Sequence, residues 1–204
     1  MPCKGAEVDL GEKAFTLILI AVLLCTPAVF CPGKVRAEEA PVRKVPNQYG
    51  MAMTGGNTYT PENDISFVLL SGFALFDHQK VWGHKAPDAL RFKVEGSLGT
   101  TTRPDKKLMT SANIFALYYL NGLTFKTFRP YLEAGIGIIY TDFQVQGQGL
   151  RFNFNPQAGM GTEFTVGTDT TCLVALRLHH ISNAGLNHDN TGINSVTLIV
   201  GRFF

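Results

Sequence analysis

After residue 37 the chain holds one cysteine, Cys172; the other three, Cys3, Cys25 and Cys31, fall within its first 31 residues. A lone thiol closes no disulfide and builds no cysteine metal site within a chain, so neither holds the body of this protein together. Beyond residue 37 no uninterrupted apolar stretch approaches the ~20 residues of a membrane-spanning helix. The formal net charge of +2 argues neither for nor against a polyanionic partner, but the lack of a basic patch with interleaved aromatics argues against nucleic acid. Charge of either sign is sparse, at 17% of 204 residues, while 45% are hydrophobic and 21 are glycine.

The one long apolar run sits at the start. Lys4 and Lys13 flank it, Ala14 to Cys25 form its core, and Val35-Arg36-Ala37 supplies a small-x-small cleavage pattern. This predicts an export signal over 1–37, removed to leave a mature domain of residues 38–204. An uncleaved anchor helix does not fit a core this short. An acylated lipoprotein cysteine does not fit either, because Leu24 and Phe30 precede Cys25 and Cys31. Cleavage after Ala37 removes four basic and three acidic residues, so the mature charge is +1.

From Gln48 onward the apolar residues recur with period two, which predicts strands. Eight are expected, at 48–56, 64–76, 89–99, 109–121, 129–141, 151–165, 171–183 and 193–204, mostly long enough to cross a bilayer at a tilt. Turn-forming stretches such as 58–63, 100–105 and 167–170 separate them. The third strand alternates Leu90, Phe92, Val94 and Leu98 with Arg91, Lys93, Glu95 and Ser97, and the fifth and sixth alternate in the same way. A soluble, lipocalin-like barrel would turn the apolar set inward; a membrane barrel would turn it outward to lipid. The export signal without disulfides, and aromatics such as Tyr140, Phe152 and Phe164 at the ends of the apolar bands, favour the membrane form. So does the terminal Phe204, with Val196, Leu198 and Val200 on its face; Arg202 departs from that pattern and is expected to snorkel. The fold class expected is therefore all-β, an eight-stranded antiparallel transmembrane β-barrel of the outer membrane.

One stretch, Cys172 to Asn194, carries the chemistry. Cys172, Val174, Leu176 and Leu178 lead on one face into His180 and Ser182, while Arg177 and His179 point the other way. With both termini in the periplasm, His180 and Ser182 stand at the outer-leaflet level and 183–192 form the last extracellular loop. Asn194 shares the outward parity at the same height. A serine hydroxyl needs a histidine to take its proton, and the histidine needs a third group to hold it. His180, Ser182 and Asn194 are thus a candidate catalytic set, with Asp189 as a substitute for Asn194 if the loop folds back. His188 and Asp189 with His180 match no familiar metal spacing, and no cofactor is implied. The connection 77–88, with His78, Trp82 and His84, is long for a periplasmic turn, and the sequence offers no account of it.

The run His180-Ile-Ser182-Asn-Ala-Gly-Leu186, followed by Asn190-x-Gly192-Ile193, resembles the C-terminal motif of the PagL family of lipid A 3-O-deacylases. The resemblance implies an outer-membrane serine esterase that removes the 3-O-linked acyl chain of lipid A in the outer leaflet without a metal. It also implies oxyanion-hole roles for Asn183 and Gly185, although Asn-Ala-Gly is ordinary turn chemistry too. The family's third residue is a glutamate, and here Asn194 stands in its place. Lipopolysaccharide and outer-membrane lipid are then the expected partners, and a homodimer is compatible with the sequence. The alternative is a non-enzymatic structural or ligand-binding barrel in which His180 and Ser182 are a relic.

Overall fold

A computed structural model describes residues 47–61, 64–167 and 169–204; the expected export segment 1–37 lies outside them. Among the described residues nine strands form one antiparallel sheet: β1 (Gln48–Thr60), β2 (Ser66–Asp77), β3 (Leu90–Arg103), β4 (Leu108–Tyr119), β5 (Phe128–Thr141), β6 (Phe152–Phe154), β7 (Gln157–Val166), β8 (Thr170–Ile181) and β9 (Ile193–Phe203). β1 pairs with β9 and β4 with β5, so the sheet closes on itself. β6 and β7 both pair with β5 and act as one interrupted strand, which makes an eight-stranded barrel. The expected sixth strand, 151–165, breaks where Pro156, which has no N–H to give a ladder, follows Asn155.

The alternation of the sequence becomes the two faces of the wall, and the soluble alternative fails on which face is which. Arg177 is 4% exposed and Leu176 beside it 53%. Met53, Leu70, Leu98, Ile138, Met160 and Leu198 likewise stand outward. In water each such side chain would forgo roughly 1.5–3 kcal/mol of burial; in hydrocarbon it forgoes none. Closure leaves no strand edge unpaired, as a lipid surroundings requires.

The interior has three layers. An apolar cluster with Phe73, Leu75, Tyr119, Tyr131 and Phe203 fills the end where β1 begins and β9 finishes. A second, with Phe67, Leu69, Met109, Ile139, Ile181 and Ile193, fills the other. Between them Lys93, Glu95, Glu133 and Arg177 form a lattice of zero net charge. Arg177 meets Glu95 at 2.9 Å and Glu133 at 2.7 Å, and Lys93 meets Glu133 at 2.9 Å. Removing one member would strand a buried charge, whereas the intact set satisfies itself.

The long 77–88 connection has a local explanation. Asp77 caps a short helix, α1 (His78–Trp82), by accepting from the Gln79 N–H at 3.0 Å, and Gly83 ends it at φ 67°. Trp82 then packs edge-on against Phe92, with 5.7 Å between ring centroids.

Candidate active site

The outer face of β8 runs Leu176, Leu178 and His180 and continues into Ser182 just beyond its end, so period two puts the last two on one side of the wall. His180 stands directly across from Asn194 in the β8–β9 ladder. The His180 ring donates from Nδ1 to Asn194 Oδ1 at 2.6 Å. Because an amide oxygen only accepts, this bond puts the proton on Nδ1 and leaves the Nε2 lone pair to act as a base.

Ser182 lies one residue past the end of β8, yet its backbone is fixed on the other flank. It donates to Phe154 O at 3.0 Å and accepts from Phe154 N at 2.8 Å, while the His180 N–H donates to Pro156 O at 3.0 Å. The interruption between β6 and β7 thus borders both candidate residues, His180 and Ser182. Strand irregularities of this sort recur beside active sites.

Gly192 is a further residue of the site. A Cβ placed there would lie 2.6 Å from His180 Cε1, so only a glycine lets the imidazole occupy its place. The motif contained this glycine, but nothing in the sequence said what it would touch.

Asn183 and Gly185 open the loop after the site. Asn183 is buried, and its side chain accepts from the Gly185 N–H at 2.9 Å and donates to Asp189 O at 2.8 Å. The Asn183 N–H donates to Asn190 Oδ1 at 2.7 Å. Both candidate oxyanion donors are therefore engaged within the loop. Gly185 takes φ 82° and Ala184 φ 53°, the left-handed pair that lets the chain turn back under Asn183. The carboxylate of Asp189 lies 3.8 Å from His188 on the solvent side of the loop. Among the described residues no three His, Cys, Asp or Glu side chains cluster closely enough to hold a metal.

His179 faces inward, as its parity predicts, with Nδ1 at 3.2 Å from Ser195 Oγ.

Comparisons with known proteins follow the same line. The chain matches the family model described as "Lipid A 3-O-deacylase (PagL)" over residues 63–202. It is 34% identical over 87 residues to the lipid A deacylase PagL of Pseudomonas aeruginosa, a stretch covering 41% of this chain and 48% of that relative. The aligned chain thus spans about half the length of that relative. Among solved structures, the outer membrane enzyme PagL superposes with a TM-score of 0.52 at 23% identity, over 74% of this chain and 97% of that one. Neisserial surface protein A gives 0.58 at 13% identity, over 77% and 95%. At those identities the two structures speak for the barrel fold. The family match covers well over half of the sequence, and the chain belongs to the PagL family of lipid A 3-O-deacylases.

Proposed function

We propose that the protein is an outer-membrane serine esterase that hydrolyses the 3-O-linked acyl chain of lipid A from the outer leaflet. The observation that carries this reading is the His180–Asn194 bond on the lipid-facing side of the wall, with Ser182 two residues further along the same face. Both ends of the sheet, Gln48 and Phe203, lie on one rim, so the loop 183–192 lies on the other. With the termini in the periplasm the site meets the outer leaflet, where the ester bonds of lipopolysaccharide lie. The segment 1–37 is the export signal that brings the chain there.

In this mechanism Ser182 Oγ attacks the ester carbonyl as His180 Nε2 takes its proton. The tetrahedral intermediate expels the sugar oxygen, which receives that proton from His180. Water, deprotonated by the same nitrogen, then attacks the acyl-serine, releasing the fatty acid and restoring Ser182. Asn194 holds the imidazole in the required tautomer by geometry. It lacks the negative charge of the family glutamate, and charge-assisted hydrogen bonds are roughly twice as strong as neutral ones. Asn183 and Gly185 become oxyanion donors when the carbonyl oxygen displaces their present acceptors, Asn190 Oδ1 and Asn183 Oδ1.

Mass spectra of lipid A from cells with and without the protein test the reading. Loss of one 3-hydroxyacyl group is expected with the parent and not with a folded Ser182→Ala variant. Equal loss with both would overturn the mechanism.

A further inference from the structure

Loop 142–151, which joins β5 to β6, lies along loop 183–192, and two antiparallel bridges tie the pair together. Phe154 meets Ser182 at one end and Gln148 meets Asn190 at the other. At the second bridge the Gly149 N–H donates to Asp189 O and the Thr191 N–H to Gly147 O, both at 2.8 Å. The chain from 182 to 190 is longer than the chain from 148 to 154, so residues 183–189 bulge out between two fixed pairs.

Of the two loops, 142–151 is the one anchored from within the barrel. Phe143 and Val145 pack on the apolar layer that contains Ile181 and Ile193, the last residue of β8 and the first of β9. The Gln148 N–H donates to Val145 O at 3.0 Å, and the buried Gln148 Oε1 accepts from the Val145 N–H at 3.2 Å, closing a tight turn. Gln144 Nε2 adds a bond to Gln148 O at 2.8 Å. In the bulge, by contrast, Leu186 is 73% exposed, so its largest apolar side chain anchors nothing.

The carbonyl of Asp189 is where this support reaches the candidate oxyanion donors. It accepts the Gly149 N–H from one loop and Asn183 Nδ2 from the other, each at 2.8 Å. Asn183 Oδ1 in turn accepts the Gly185 N–H, and Asn190, the partner of Gln148, accepts the Asn183 N–H.

We propose that loop 142–151 is the positioning element of the oxyanion hole, with Gly149 and Gln148 acting through Asp189 and Asn190 on the Asn183 and Gly185 N–H groups. The proposal rests on the esterase reading above. Donors stabilise a developing oxyanion only when they are aimed in advance at the place it will occupy. The bulge has no apolar anchor with which to aim itself, so the Gln148–Asn190 bridge sets the height of its donors. The Phe154–Ser182 bridge sets the height of the nucleophile, and both bridges belong to one continuous segment. The Asn190 side chain can then yield to the substrate carbonyl while its main chain stays in place.

The test is steady-state hydrolysis of lipid A by the full-length protein folded in detergent. Gly149→Ala puts a Cβ against Asn187 Oδ1 and 2.8 Å from Asp189 O, so the loops must part. It should lower kcat about tenfold with KM within about twofold, because the donors serve the transition state and not the bound ester. Asn187→Ala removes the obstructing amide, and adding it to Gly149→Ala should recover about threefold of the loss. Gln148→Ala, which loosens the turn from within, should lower kcat about threefold with the same split. Gly72→Ala, on the outward face of β2 with open space around it, should leave both constants unchanged. Heat-modifiable mobility on gels shows which variants keep the barrel. Parental kcat in every folded variant at Gly149 and Gln148, or a loss confined to KM, overturns the positioning role and leaves the esterase standing. A parent that hydrolyses no lipid A overturns both.

Discussion

His179 and His180 are neighbours in sequence and are both held by residues of β9, yet the wall separates their fates. His179 points into the barrel, where its Nδ1 lies 3.2 Å from Ser195 Oγ under the edge of the Phe67 ring. His180 points outward, with Asn194 at 2.6 Å and Ser182 on its own face. The inner pair is itself a histidine beside a serine, but it is sealed among the ion lattice and the apolar layers. A reactive dyad is therefore not defined by two side chains within reach. The proposed catalytic role draws in addition on an orienting third group and an approachable face, which Asn194 and the outer surface of the wall offer to His180 and Ser182.

The comparison breaks most visibly at the outer histidine. His180→Asn should lower acyl release by at least about 10⁴-fold with the barrel intact, because members of such a set fail as a unit. Heat-modifiable mobility on gels checks the fold, and fatty-acid release checks the rate. Asn194→Ala should cost about 10²-fold, since the imidazole is no longer held in place. Asn194→Glu restores the family residue and should keep or raise the parental rate; a rate for Asn194→Ala equal to the parent at every pH would make position 194 a bystander. Gly192→Ala should cost about tenfold by pushing the His180 ring aside, with kcat falling more than KM rises. The smallest effect on catalysis belongs to the inner pair. Ser195→Ala should leave release within about twofold of the parent while lowering stability by about 1–3 kcal/mol, because it strips the His179 imidazole of its partner.

The barrel was legible because period two is a local property. Leu90 to Leu98 announce two faces without any knowledge of the rest of the chain, and seven of the eight expected strands appear with small shifts of their ends. The outward placement of Leu176 and Leu198 and the inward placement of Arg177 and Thr197 follow from the same parity. What parity does not carry is register. That Arg177 would meet Glu95 and Glu133 depends on which residue of β3 and β5 comes level with β8, and alternation leaves this open. The same limit hid the contact of Gly192 with the imidazole and the approach of Phe154 to Ser182. The break at Pro156 leaves no mark on the alternation, because the apolar residues continue on either side of it. The helix after Asp77 has its sequence marks in the capping aspartate and the terminal glycine, Gly83, but five residues are too few for a helical period to show.

The lattice of Lys93, Glu95, Glu133 and Arg177 has an electrical consequence. An ion entering the lumen would have to displace partners that already neutralise one another, and it would do so between two apolar layers that offer it no hydration. The barrel is thus an insulator laid through the membrane. A cell can hold many copies of such a protein in its outer membrane without opening a leak, and a planar bilayer loaded with it should keep the resistance of bare lipid.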